Sequence, residues 1–168
     1  MNKKTSGPAE LNTIDNLVLS ELKLGKLSQL IGKSLNAFLP SRAHPEETTE
    51  TLLQKFRFDP NFALYGYEID GQPVSYIVAL SHKGKESIAI GPMYVAEALR
   101  GRGLGKKQII DLIELYKLRG CSVFFTKTWS SNQVSTSTFD QLGFRVVGTE
   151  ENDRVNGDAT ISFQLNTL

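Results

Sequence analysis

The stretch MYVAEALRGRGLGKKQIIDLIELYKLRG, Met93 to Gly120, places three alternating glycines and four cations between a strand-like segment and a long helical run. Glycine is about 1 kcal/mol worse than alanine inside a helix. Gly101, Gly103 and Gly105 therefore serve something other than helix stability. The run that follows carries Ile109, Ile110, Ile113 and Tyr116 on an expected sheet-facing stripe, with Lys107, Asp111, Glu114 and Lys117 on one side. Gly120 is its stop, and CSVFFTKTW, rich in β-branched and aromatic residues, reads as the next strand.

The rest of the chain arranges itself around that unit. Residues 1–13 are polar and read as a disordered tail, leaving 14–168 as one domain. NLVLSEL reads as a strand and KLGKLSQLIGKSLNAFL as an amphipathic helix stopped by Pro40. After the loop SRAHP, PEETTETLLQKF reads as a helix with Pro45 in its first turn and acids near its start. FALYGYEI and VSYIVALS are strands turned by DGQP, and HKGK, which carries His82, turns into the strand ESIAIGPMYV. NQVSTSTFDQL reads as a short helix, and FRVVGTEE and DATISFQL as two closing strands. Hairpin strands combined with two strand–helix–strand crossings predict an α/β chain (α+β mixed) with a mixed sheet and helices packed against it.

Composition narrows the function classes. A formal net charge of +1 gives no global field for nucleic acid or an anionic membrane, and neither is expected as a partner. One cysteine, Cys121, excludes an internal disulfide and any multi-cysteine metal site; at a strand start it reads as a buried small hydrophobe. Two distant histidines have no metal-ligand spacing, so no metal is expected. No apolar run approaches the roughly 20 residues of a membrane span, and a cytoplasmic location is the expectation.

The first amides of a helix lack intrahelical acceptors, and the helix dipole adds partial positive charge there. Glycines without side chains expose those amides, while Arg100, Arg102, Lys106 and Lys107 add full charges. Such a loop binds a phosphate or pyrophosphate. It is not a Walker A loop, since Arg100 stands at the first glycine position and Lys107 at the hydroxyl position. Lys106 stands where a dinucleotide fingerprint needs a small residue.

RGRGLG, with Arg100, Gly103 and Gly105, resembles the pyrophosphate loop (Arg/Gln-x-x-Gly-x-Gly/Ala) of the GNAT superfamily of acyl-CoA-dependent N-acyltransferases. NQVSTSTFDQLGF is similar to that family's later motif through Asn132, Ser135, Phe139, Gly143 and Phe144. The resemblance extends over the element order and implies a central mixed sheet of about six to seven strands flanked by about four helices. It implies acetyl-CoA as donor and direct transfer to a small-molecule or peptide amine, with homodimerisation common among relatives. The strand before the loop would splay from its neighbour to admit the donor, and Gly91–Pro92 marks a bulge there. Donor-binding positions would be Met93, Tyr94, Val95, Arg100, Gly101, Arg102, Gly103, Leu104, Gly105, Lys106, Asn132 and Phe139. Asn132 also reads as an N-cap, and the two roles are compatible.

The chain departs from the family pattern at the proton-transfer positions. Phe139 replaces the usual general-acid tyrosine, and Ala89 stands where some members carry a glutamate base. Tyr94, Glu86, Ser135 and water remain as substitutes. His44, Thr128 and Trp129 are candidates for the acceptor pocket, and core packing is the other reading of Trp129. The rival to an enzyme is a CoA-binding sensor or regulatory module that has kept the loop and lost the chemistry.

Overall fold

The computed structural model describes residues 14–38, 44–81 and 86–167. The expected tail at 1–13 and the turn HKGK with His82 lie outside them, as do the end of the first helix at Pro40 and the start of the loop after it. The elements are β1 (Ser20–Glu21), α1 (Ser28–Phe38), α2 (Thr49–Phe58), β2 (Phe62–Gly66), β3 (Glu68–Ile69), β4 (Gln72–Pro73), β5 (Ser75–Ser81), β6 (Ser87–Val95), α3 (Leu104–Lys117), β7 (Val123–Trp129), α4 (Gln133–Gln141), β8 (Arg145–Glu150) and β9 (Thr160–Asn166). Seven strands form one sheet in the order β1-β2-β5-β6-β7-β9-β8, with four helices around it. Among the described strands only β6 and β7 pair in parallel, and the crossover between them is α3, the connection parallel neighbours require.

Side-chain alternation sorts the helices onto two faces. On β5, Tyr76 and Val78 join the core under α1 and α2 with Leu27, Ile31, Leu52 and Phe56. Ile77 and Ala79 point the other way, into a core with Ile109, Leu112, Ile113 and Tyr116 of α3 and Phe139 of α4. A period of two on a central strand thus fills both layers. No helix among the described residues is long and apolar enough to cross a membrane.

Several local expectations are corrected. NLVLSEL forms strand only at Ser20 and Glu21, opposite Gly66 and Tyr65, with the Leu22 amide donating to the Leu64 carbonyl at 2.9 Å; the residues before Ser20 run past the end of β2 at Gly66. The first helix starts at Ser28, after a 3-10 turn at Leu24–Lys26 that contains Gly25. Pro45 precedes α2 instead of sitting in its first turn. The cap is Thr48, whose hydroxyl accepts from the Thr51 amide while Thr51 Oγ1 accepts from the Thr48 amide. Threonine at the position usually held by Glu or Gln hid this reciprocal box in the sequence. DGQP does turn a hairpin, with Asp70 at φ 52° and Gly71 at φ 73°, but the strands it joins are the separate pair β3–β4. On α3, Ile110 is exposed; Leu104, Gln108 and Leu112 complete the buried stripe with Ile109, Ile113 and Tyr116. Cys121 is only partly buried, and burial, with Glu86 nearby, pushes its thiol up.

Where β2 hands over to that hairpin, a Cβ on Gly66 would lie 2.1 Å from the Ser75 carbonyl oxygen and 2.6 Å from Leu22 Cδ1. One of those atoms is backbone and cannot swing away. Gly66→Ala is therefore expected to cost about 2–3 kcal/mol, lowering the melting temperature by roughly 5–10 °C; an unchanged melt would show that the β2–β5 edge can yield.

Candidate active site

The site begins with a failure of strand pairing. β6 and β7 run together only from Ser87–Ile90 against Val123–Thr126. Immediately afterwards come Gly91 and Pro92. On the β5 side Ile90 faces Ala79 and Met93 faces Ile77, so two residues of β6 oppose Val78 alone. That is a bulge: proline has no amide for a ladder, and glycine fits because a Cβ there would meet Val78 Cβ at 3.2 Å. Past it, β6 continues to Val95 and β7 to Trp129 without pairing to each other, the latter held only by β9. The expected splay is present.

The α3 loop stands at the end of β6. Gly101 (φ 74°) and Gly103 (φ 79°) take the left-handed conformation with open space around them, so backbone shape fixes their identity. Gly103 is the N-cap of α3, and no side chain caps the helix there. Gly105, inside the first turn, is 3.5 Å by its would-be Cβ from Met93 Cε, which brings the helix start close against β6. The Leu104 side chain is buried, anchoring the turn from below.

Charges around the loop are placed unevenly. Arg102 is exposed. Arg100 folds back, its Nε donating to the Val95 carbonyl at 3.0 Å and its guanidinium 4.9 Å above the Tyr94 ring. Lys106 donates to Gln141 Oε1 at 3.0 Å, tying the start of α3 to α4. Lys107, expected to serve the loop, does not. Its ammonium bonds Asp111 Oδ2 at 2.6 Å and the Leu17 carbonyl at 2.9 Å, over the Tyr67 ring. The i,i+4 direction turns it down the helix. Tyr67 also donates to Asp111 at 2.6 Å, and burial, then that carboxylate, hold its phenol well above the usual range.

A cleft of about 710 Å³ opens along the gap. Met93 of β6, Thr128 and Trp129 of β7, Asn132, Ser135 and Phe139 of α4 and its cap, and His44 before α2 all line it. Asn132 caps α4 by accepting from the Ser135 amide at 3.2 Å, while its Nδ2 donates to Thr128 Oγ1 and Ser135 Oγ at 3.0 and 2.9 Å. Phe139 is buried between Phe144 and Phe163, with ring centroids 5.5 and 5.3 Å away. Ala89 lines the same cleft. Tyr94 is buried, stacked on Tyr76 and covered by Arg100. Glu86 is exposed just before β6, whose nine residues put it roughly 30 Å from the loop.

Sequence reasoning missed Ser34, Glu47 and Tyr76, which also line the cleft. Tyr76 was legible only as a strand aromatic and Glu47 only as an acid before a helix; their meeting depends on how α1 and α2 dock.

The uncapped amides of α3 predict anion binding that is separable from stability. In Gly103→Asp the left-handed φ of 79° strains the new residue, an expected cost of about 1–2 kcal/mol that still leaves a cooperative melt, and a carboxylate is set beside those amides. Its charge would at the same time repel a phosphate, and titration with pyrophosphate or CoA is expected to show at least a roughly tenfold loss of affinity.

The acetyltransferase (GNAT) family model matches residues 30–144, which include the bulge, the glycine loop and all of α4. Solved structures agree on the fold. The ribosomal-protein-S18-alanine N-acetyltransferase of Escherichia coli superposes with a TM-score of 0.74 at 15% identity, over 90% of this chain and 95% of that one. The ribosomal-protein-alanine N-acetyltransferase of Brucella melitensis gives 0.72 at 21%, over 89% and 99%. A chain of the NatC complex bound to Gag peptide and CoA gives 0.69 at 17%, over 90% and 99%. No curated protein sequence matches the chain. The matched segment holds both the parted strands and the glycine turn between β6 and α3, and the chain belongs to the GNAT family of acetyltransferases.

Proposed function

We propose that the protein transfers the acetyl group of acetyl-CoA directly to a primary amine, with both reactants bound together. The observation that carries this reading is the junction of two features: the β6–β7 ladder ends at Ile90 and Thr126, and the uncapped start of α3 stands at the end of β6. The residues present fit the donor. Amides of Leu104, Gly105 and Lys106, reached through Gly101 and Gly103, suit a diphosphate, with Arg102 exposed beside them. The main chain of Met93 and Val95 suits an extended amide-bearing arm laid along the edge that β6 leaves open. Asn132 and Phe139 would border the end where the thioester lies.

Acetyl-CoA supplies the activated carbonyl; the protein supplies placement. Holding two reactants in register is worth effective molarities up to about 10⁵–10⁸ M, and positioned proton transfer adds roughly 10²–10⁴-fold. Phe139 has no proton to give and Ala89 cannot take one. Of the substitutes, Ser135 lines the cleft, whereas Tyr94 lies beneath Arg100 and Glu86 outside the lining. We place the proton transfers on Ser135 and water. The positions of Phe139 and Ala89 also favour a second reading, a CoA-binding regulator without turnover.

Thermal melting with acetyl-CoA, CoA, ATP and NAD tests the donor site. At about 100 times Kd a ligand adds ~2.7 kcal/mol, roughly 5–10 °C here, and only the two CoA species should do so. Thiol release on adding amines then distinguishes transferase from regulator; a chain that binds acetyl-CoA and releases no thiol with any amine would be the regulator. Because Phe139 acts by packing, Phe139→Tyr is expected to leave turnover unchanged or raise it modestly. A collapse of turnover in that variant would mean the ring contributes more than shape.

A further inference from the structure

The side-chain amide of Asn132 is fully spent, and that fixes the direction of the protons around it. The Ser135 main-chain N–H donates to Asn132 Oδ1 at 3.2 Å, which settles which end of the amide is oxygen. Nδ2 is then the donor at both of its contacts, Thr128 Oγ1 at 3.0 Å and Ser135 Oγ at 2.9 Å. An amide nitrogen has two protons and no lone pair to share, so each hydroxyl accepts from it and keeps its own proton to give. Among the described residues neither hydroxyl has an acceptor for that proton.

Both hydroxyls line the cleft, and Thr128 is only 4% exposed. Thr128 belongs to the part of β7 beyond its last pair with β6, and Ser135 to the first turn of α4. Acceptors on the two N–H directions of one amide stand roughly 5 Å apart, a span that one atom between them can bridge. Phe139, one turn further along α4, lines the same cleft and is buried against Phe144 and Phe163. The nearby hydroxyls of Ser130 and Ser131 are committed elsewhere, donating to Asp158 at 3.3 and 2.6 Å. Lys127 points to the opposite face of β7 from Thr128 and pairs with Glu150 at 3.3 Å. Two O–H donors held by a third group in an apolar corner suit a negative charge that appears as a bond breaks. When a thioester is cleaved, that charge falls on sulfur.

We propose that Thr128 and Ser135 together receive the departing sulfur of the acyl donor, and that Asn132 is the positioning residue that aims them. This deepens the acetyl transfer proposed above and rests on it. The amine's lone pair forms the C–N bond, the C–S bond breaks with its electron pair on sulfur, and both hydroxyls donate to the thiolate. The proton shed by the new amide nitrogen passes to water, which refills Ser135 as Ser135 gives its own proton to sulfur.

The test needs no amine. Free CoA is bound to the full chain, its binding followed by calorimetry and its thiol titrated by the near-ultraviolet absorbance of the thiolate. Two donors aimed at sulfur favour thiolate over thiol, so bound CoA is expected to ionise roughly tenfold or more above free CoA, a pKa lower by about one unit. Thr128→Val and Ser135→Ala should each give back several-fold, and the double variant should return bound CoA to the free value. Asn132→Asp keeps a good cap on α4 and a cooperative melt, but it offers the hydroxyls an acceptor in place of Nδ2. Both protons then turn to it, and bound CoA should ionise less readily than free CoA. The proposal is overturned if bound CoA ionises as free CoA does, or if the double variant or Asn132→Asp keeps the lowered value. CoA that does not bind at all overturns the donor reading and this one with it; CoA that binds with an unshifted thiol overturns this one alone.

Discussion

Two residues, Gly91 and Pro92, decide where this sheet can come apart. A parallel pair at the centre of a seven-stranded sheet would ordinarily be closed along its length, its backbone groups satisfied by the neighbour. Here the ladder between β6 and β7 ends at Ile90 and Thr126, because the next residue has no side chain and the one after it has no amide. The bulge turns the last part of β6 while β7 stays with β9. A gap in the middle of a sheet would be a defect in a purely structural protein. It is tolerated here because the strands on either side, β5 and β9, remain paired nearly throughout, and because α3 and α4 pack a shared core beneath.

The loop after β6 depends on the same geometry. Glycines at φ 74° and 79° let the chain reverse and start α3 with Gly103 as a cap that carries no side chain. Any residue with a side chain would be strained at that φ, so the backbone conformation itself keeps a side-chain cap away from the first amides. The cations near this turn differ in duty although they look alike in sequence. Arg102 faces solvent, Arg100 braces Tyr94 and the end of β6, Lys106 ties two helices together, and Lys107 belongs to a partly buried network with Tyr67 and Asp111. Charge near a helix start is therefore not equivalent to charge aimed at a ligand.

The cleft joins two chemical environments. One side is main chain and small polar groups, with Asn132 both capping α4 and holding Thr128 and Ser135 in place. The other is a mostly apolar wall ending in Tyr76, Ser34 and Glu47, contributed by a strand, a helix and the segment before α2. The rings of Tyr76 and Tyr94 stack at 6.4 Å, so the arginine that braces the loop also steadies Tyr76 on the neighbouring strand. The two halves of the site are thus mechanically continuous through β5 and β6.

Much of this was legible in residue order, since the physics involved is local. Period-two and period-3.6 patterns located most of the strands and all four helices, Gly91–Pro92 announced the bulge, and the alternating glycines announced an exposed helix start. The misreadings were local details that neighbours decide. A strand exists only where another strand meets it, which cut NLVLSEL to two paired residues. A threonine can do the reciprocal capping expected of glutamate, which moved α2 past Pro45. What the tertiary structure alone decided is the far end of the cleft. Ser34, Glu47 and Tyr76 are remote in sequence, and each looks ordinary there. Only the docking of α1 and α2 on β5 joins the Ser34 hydroxyl to Tyr76 and brings Glu47 into the same lining, because hydrogen-bond direction and proximity are properties of packed space, not of chain order.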